Sequence, residues 1–284
     1  MNIEPLGTAI GARITKFSLS QVPTAMQRDE IETALERYGV LVFPDQSLQP
    51  GAQVAFSRAF AELLLANNAK ARHAEYPEVL TVGNTGSTLV SFSPSEPGER
   101  LEWHADHMHV ERPARASLLY ALQVPEVGGE TYFACMYSAY GSLSRVEQEQ
   151  AAGLTAQHCA SGLRRFLDDY ADPAASKPDY VNGAPVVRWP LVRHHPRSGR
   201  SSLYFGSHVT IGIDDWPAAK AQQYIERLTA IATREENVYV HRWTVGDAVL
   251  WDNRRVLHAG GAYDVHKHRR EMHRTTWAED RPIV

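Results

Sequence analysis

Cysteine is nearly missing from this chain: Cys135 and Cys159 are the only two among 284 residues, and neither has a CxxC partner. That excludes a disulfide framework and fits a reducing compartment; both thiols read as small buried hydrophobes. Long apolar runs are missing as well. LLLA and LLYAL fall far short of the roughly 20 residues that a membrane helix requires. The first residues, MNIEPLGTAIGARITKF, lack the basic stretch and apolar core of a signal peptide, so a cytoplasmic address is expected. Nor is there an excess of one charge. With 29 basic and 33 acidic residues and a formal charge of -4, nothing offers the clustered basic surface that nucleic acid or an anionic membrane calls for. Repeats, heptads and low-complexity tracts are absent too. What remains is a globular balance, 43% hydrophobic and 22% charged, read as one domain over residues 1–284.

Periodicity then divides the chain. A short strand is expected over Ile10–Phe17, a helix over Gln27–Tyr38, a buried strand over Val40–Phe43 and a second helix from Pro50 to about Leu64. From Val79 onward the pattern turns to short strands. They are expected over Val79–Val82, Ser117–Val124, Thr131–Met136, Ala184–Val192, Ser202–Phe205, Val238–Trp243, Ala248–Trp251 and Met272–Trp277, with helices over Ser138–Gly153 and Pro217–Arg234. Many short strands with few helices imply a mainly β fold, a sandwich or closed barrel with helices packed outside. The stretch Leu163–Asn182 is polar, aromatic and broken by Pro173 and Pro178. It reads as a long lid loop.

Chemistry concentrates in Glu102-Trp103-His104-Ala105-Asp106. On an extended segment, residues two apart share a face, so His104 and Asp106 can deliver an imidazole and a carboxylate to one point. Two imidazoles and one carboxylate on an octahedral face are what a mononuclear Fe(II) oxygenase uses. A bare HxD is weak on its own in a chain with 13 histidines. Strand alternation would turn His107 and His109 to the opposite side, as rim or solvated histidines. Downstream, Gly246-Asp247-Ala248-Val249-Leu250-Trp251-Asp252-Asn253 ends a strand in a turn, and His258 opens the next one. His268-Arg269-Arg270-Glu271-Met272-His273-Arg274 follows; an arginine facing inward there offers a fixed fork for a carboxylate. The other reading of that segment is a basic surface run.

Taken together, W-H-A-D, V-G-G-E-T, G-D-A-V-L-W-D-N-R-R-V-L-H and R-R-E-M-H-R closely resemble the taurine dioxygenase family of Fe(II)- and 2-oxoglutarate-dependent oxygenases, and most of all its 2,4-dichlorophenoxyacetate branch. The likeness runs over nearly the whole chain, including Val187–Arg193 and His241-Arg242-Trp243. It implies a double-stranded β-helix, or jelly-roll, barrel. It further implies iron on His104, Asp106 and His258, with 2-oxoglutarate and O2 as cosubstrates. Arg270 would hold the far carboxylate of 2-oxoglutarate with help from the Thr131 hydroxyl. Arg274 would face the metal pocket, where it meets an anionic group.

This chain also departs from the family pattern. The interval from His258 to Arg270 is one residue longer than in the nearest relatives, across His266-Lys267-His268, which keeps Arg269 as a fallback for the cosubstrate role. The substrate histidine of the taurine enzymes would fall near Ala66. Lys70 and Arg100 are candidate contacts for an acidic substrate, with an ordinary solvated cation as the alternative for each. The expected activity is hydroxylation of a small anionic molecule such as a phenoxyalkanoate-like acid, with cleavage where the hydroxylated carbon bears an ether oxygen. Alternatives are a sulfonate or sulfate-ester dioxygenase, a zinc hydrolase and a non-catalytic anion-binding barrel. No nucleic-acid or membrane partner is expected, and a homo-oligomer is left open.

Overall fold

The computed structural model describes residues 1–7, 9–66, 68–85, 100–162 and 183–280. Its frame is two facing β-sheets. The larger runs in the order Asn2–Pro5, Ala12–Thr15, Val40–Phe43, Ala248–Asp252, Ala114–Gln123 and Glu271–Ala278, and that last strand also carries the short strands Leu63–Leu64 and Leu80–Gly83. The smaller places Thr131–Cys135 between Val238–His241 and Val256–Gly260. This is the expected mainly β barrel with peripheral helices.

Strand alternation sorts the core. Leu119, Val249, Trp251 and Met272 point into the barrel and meet Phe133 and Cys135 of the small sheet. The rings of Phe133 and Trp251 are 5.5 Å apart. Leu118, Leu250 and Trp277 point the other way, against Ile31 and Leu35 of helix Ala25–Tyr38 and Phe56 of helix Pro50–Arg58. The first helix begins at a capping box of Thr24 and Gln27 and ends at Gly39, whose φ of 73° suits glycine. The second is pinned by Gln53, which donates to the carbonyls of Leu118 and His273, and by the hydroxyl pair Ser57–Thr275. A third core cluster lies outside the small sheet, where Leu257 and Ala259 pack with Ile225 and Leu228 of helix Ala218–Ala232.

Several boundaries differ from the expected ones. The helix expected to reach Leu64 stops at Arg58, because Leu63 and Leu64 pair with Trp277 and Thr276 instead. One helix expected over Ser138–Gly153 is two, Met136–Gly141 and Arg145–Ala152. The break falls at Ser144, which caps the second helix together with Glu147, a capping box written plainly as Ser-x-x-Glu. Ala184–Val192 divides into strands Val187–Pro190 and Val192–His194. Strands Asn2–Pro5, Thr155–His158 and Thr210–Ile213 were not anticipated; each has four residues, the first pairing locally with Ala12–Thr15 and the other two with each other across more than 50 residues. The lid expected over Leu163–Asn182 lies outside the described residues.

One buried ion pair ties the hairpin strand Val192–His194 to the end of the Arg274 strand: Arg193 Nη2 donates to Glu279 Oε2 at 2.9 Å, with side chains 2% and 3% exposed. Tyr204 lies 4.8 Å from the same guanidinium. Removing one partner would strand the other charge in the interior, so Glu279→Ala is expected to lower unfolding free energy by about 3–5 kcal/mol. Urea denaturation measures this, and a loss under about 1 kcal/mol would show that the pair carries no such weight.

Candidate metal centre and cosubstrate site

The segment before the large sheet joins the small one through a single bridge: His104 N donates to His258 O at 3.0 Å, and His258 N to His104 O at 2.8 Å. That bridge sets the two imidazoles side by side, ring centroids 4.3 Å apart. Immediately afterwards the chain turns, so that Asp106 faces back toward them. One ligand atom from each of His104, Asp106 and His258 lies within 4.8 Å of the other two. The HxD pair therefore converges as expected, but on a turn rather than a strand. His107 follows in the left-handed region with φ 53°. It is half-buried and electrostatically coupled to Asp106 and Arg274. Alternation does not extend through this turn; His107 and His109 are both half-buried, as a rim position allows.

His104 and Asp106 each have a further hydrogen-bond partner. His104 Nδ1 lies 2.9 Å from the carbonyl of Glu102. With Nδ1–H bonded there, Nε2 is left as a metal-binding lone pair. Asp106 Oδ2 accepts from Ser117 Oγ at 2.7 Å, and Oδ1 from Arg274 Nη1 at 2.5 Å. Asn253 completes the arrangement. Its Oδ1 accepts from Asp106 N at 3.0 Å and from Trp251 Nε1 at 3.0 Å, while Nδ2 donates to Ser117 Oγ at 3.1 Å. The turn bearing Asn253 is fixed by the fully buried Asp252, which accepts from Arg254 Nη2 at 2.6 Å and lies 3.0 Å from His195 Nε2. Ser117 and Asn253 were missed in the sequence. The asparagine of W-D-N was visible as a motif, but its target was not.

Electrostatics leave the three ligands ready for a cation. Burial alone would raise the Asp106 pKa, but Arg274, His258, His104 and the Ser117 hydroxyl together hold it well below the usual carboxylate range. Burial lowers the His258 pKa to about 4, and moves His104 in the same direction with His258 and His208 adding to it. Two neutral imidazoles and one carboxylate are a donor set suited to iron.

Arg270 supplies a second test of fit. It is 5% exposed, Nε has no hydrogen-bond partner, and among the described residues no carboxylate lies within ion-pair distance. A buried guanidinium without a counter-charge is costly, and a bound dicarboxylate would remove that cost. Its main chain is clamped by Asn84, whose Oδ1 accepts from Arg270 N at 2.8 Å while Asn84 N donates to Arg270 O at 3.0 Å. Gly83 must be glycine here, since a Cβ would fall 1.8 Å from the Arg270 carbonyl oxygen. Arg269, the alternative, is exposed and donates to the carbonyl of Asn84 at 3.2 Å. Thr131 is buried on the inward face of its strand, and Trp243 Nε1 donates to its hydroxyl at 2.9 Å.

The remaining candidates lie elsewhere. Lys70 is exposed on the short 3-10 turn Ala69–Ala71. Arg100 is exposed and lies 3.9 Å from Glu102. It lines a cavity of about 430 Å3 that also includes Glu102 and His208.

Buried neutral imidazoles make a prediction about acid stability. The pKa values of His107, His109 and His258 are lowered to about 4 and that of His158 to about 3, in each case chiefly by burial. Between the unfolded value near 6.5 and about 4, the unfolded chain binds protons that the native protein refuses. Stability therefore falls as pH falls through that window, each group contributing up to about 1.4 kcal/mol per pH unit. Urea unfolding of metal-free protein should give a clearly lower free energy at pH 5.5 than at pH 7.5; equal values would contradict the buried neutral state.

Comparison with known proteins agrees with this geometry. Residues 2–276 match the model of the taurine catabolism dioxygenase TauD, TfdA family. The chain is 36% identical over 284 residues to the alpha-ketoglutarate-dependent 2,4-dichlorophenoxyacetate dioxygenase of Cupriavidus pinatubonensis, covering 97% of each. It is 32% identical to the (S)-phenoxypropionate/alpha-ketoglutarate-dioxygenase of Sphingobium herbicidovorans, covering 96% of this chain and 93% of that one. A crystal structure of AAD-2 in complex with Mn(II) and N-oxalylglycine superposes with a TM-score of 0.82 at 29% identity, covering 100% of this chain and 99% of that one. The chain thus belongs to the taurine catabolism dioxygenase TauD, TfdA family and is a jelly-roll, non-haem iron dioxygenase dependent on 2-oxoglutarate.

Proposed function

We propose that the protein hydroxylates a small carboxylic acid of phenoxyalkanoate type, with iron on His104, Asp106 and His258 and 2-oxoglutarate held by Arg270 and Thr131. The observation that carries the reading is the buried Arg270, which has no counter-ion among the described residues and lies on the inward phase of the strand that brings Arg274 to Asp106. The named activities of the relatives above favour this substrate class. Iron and the cosubstrate supply the oxidising chemistry: O2 and 2-oxoglutarate are consumed, succinate and CO2 are released, and a substrate C–H becomes C–OH.

The chain's own residues supply position and charge. The Glu102 carbonyl and the His104–His258 bridge orient the imidazoles, while Ser117 and Asn253 hold Asp106. Arg270 pairs with the far carboxylate of 2-oxoglutarate as a fixed fork. Arg274, 16% exposed in its side chain, presents the rest of its guanidinium to the carboxylate of the primary substrate. Where the hydroxylated carbon carries an aryl ether oxygen, the product is a hemiacetal or hemiketal that collapses to a phenol and a 2-oxo acid, an aldehyde acid from a phenoxyacetate and a keto acid from a 2-phenoxypropionate.

A screen for succinate release with Fe(II), ascorbate and O2 tests the substrate class. Phenoxyacetates and 2-phenoxypropionates should be turned over in preference to alkyl sulfonates and sulfate esters of similar size. Turnover confined to sulfonates, to sulfate esters or to uncharged compounds would overturn it.

The cosubstrate assignment is tested separately. Arg270→Gln should weaken 2-oxoglutarate binding to the Mn(II)-loaded protein by about tenfold or more, the loss of a charge-assisted bidentate pair. Arg269→Gln should leave it unchanged, and the reverse pattern would transfer the role to Arg269.

A further inference from the structure

We propose that Trp243 is a positioning residue for 2-oxoglutarate, acting through the hydroxyl of Thr131; this rests on the reading that Thr131 contacts the cosubstrate. Thr131 is the first residue of its strand and pairs with His241 on one side and Gly260 on the other. Its side chain shares the inward face with Phe133 and Cys135, while Tyr132 and Ala134 face outward. Arg270 comes close to the turn just before it: a Cβ placed on Gly129 would lie 3.8 Å from Arg270 Cδ. The hydroxyl and the guanidinium thus stand at one end of the barrel interior.

A hydroxyl has one hydrogen to give and two lone pairs to receive. Trp243 Nε1–H occupies one lone pair at 2.9 Å, and an indole N–H can only donate. The Thr131 hydrogen therefore has to be given to something else, and rotation about Cβ–Oγ1 is limited to directions away from the indole. In this way the tryptophan makes the threonine a donor aimed at an acceptor, which a carboxylate beside Arg270 provides. The indole is itself held. His241 meets it edge to face, with centroids 4.5 Å apart and an interplanar angle of 89°. His241 in turn lies 3.0 Å from the Tyr239 hydroxyl and 3.2 Å from Asp247. A half-buried tryptophan just past a strand end is thereby fixed in one orientation.

Calorimetry on Mn(II)-loaded protein, with 2-oxoglutarate and N-oxalylglycine as titrants, separates this role from a merely structural one. Trp243→Phe keeps the ring and loses the donor, and should weaken both ligands by about fivefold, with Thr131→Val weakening them by about tenfold. Mn(II) affinity should be unaffected in either variant. In the Thr131→Val background, Trp243→Phe should add nothing, because the path through the hydroxyl is already gone. Equal losses in both backgrounds, or wild-type affinity in Trp243→Phe, would overturn the proposal. If Thr131→Val itself binds both ligands normally, the assignment of Thr131 falls and the role of Trp243 with it.

A second measurement needs no substitution at Trp243. In 15N-tryptophan-labelled, Zn(II)-loaded protein, the Trp243 indole resonance should shift on adding N-oxalylglycine, and should not shift in Thr131→Val. An indole resonance in the wild type that ignores the ligand would count against the coupling.

Discussion

The interior of this barrel is organised around one buried negative charge, the carboxylate of Asp106. Placing it 3% exposed is unfavourable unless charges and hydrogen bonds replace the lost water. The replacements come from separate parts of the chain: Ser117 and Arg274 from two adjacent strands of the large sheet, Asn253 from a turn, and the two histidines from the bridge to the small sheet. Their combined field outweighs burial and keeps Asp106 ionised. The same requirement explains why Asp252 is buried next to Asp106's partner Asn253. Its bonds to Arg254 and its contact with His195 hold the turn whose asparagine receives the Asp106 amide. The same contacts that keep Asp106 ionised fix its direction toward His104 and His258.

The way Arg269 and Arg270 part company follows from the pleat. On the Arg274 strand, Met272 packs in the barrel interior while Thr275 bonds to Ser57 on the outer helix, so inward positions are even-numbered. Arg270 falls on the inward phase and Arg269 does not. The turn through His266, Lys267 and His268 that precedes it is stapled by Asp264 and Asn84. A change of length before that clamp would leave the strand's phase intact, whereas one after it would turn every inward side chain outward.

The His104, Asp106 and His258 cluster was legible in the sequence through the family resemblance of the W-H-A-D and G-D-A-V-L-W-D-N-R-R-V-L-H motifs, since a bare HxD is weak on its own. The mainly β architecture was legible as period-2 runs. What escaped is what depends on distant contacts. Strand Thr155–His158 looks unremarkable alone and exists through Val187–Pro190 and Thr210–Ile213. Ser117 reads as one more strand residue; only the turn that brings Asp106 back beside its strand makes it a donor to that carboxylate. Past Asp106 the backbone leaves the extended region at His107, so strand alternation is no guide to where that side chain lies.

Charge balance connects the site to the kind of molecule it takes. Among the described residues facing the centre, Asp106 contributes one negative charge and Arg270 and Arg274 one positive charge each, because arginine stays protonated even when buried. An Fe(II) ion raises the balance to three positive charges, and 2-oxoglutarate cancels two. One positive charge is left in a low-dielectric interior, where uncompensated charge is expensive. Glu102 does not cancel it, since that carboxylate is already engaged by His208, Ser207 and Arg100. A monoanion would complete that balance, which supports the proposal of a carboxylic acid substrate met by Arg274, whose present partner Asp106 would be shared with a metal ion.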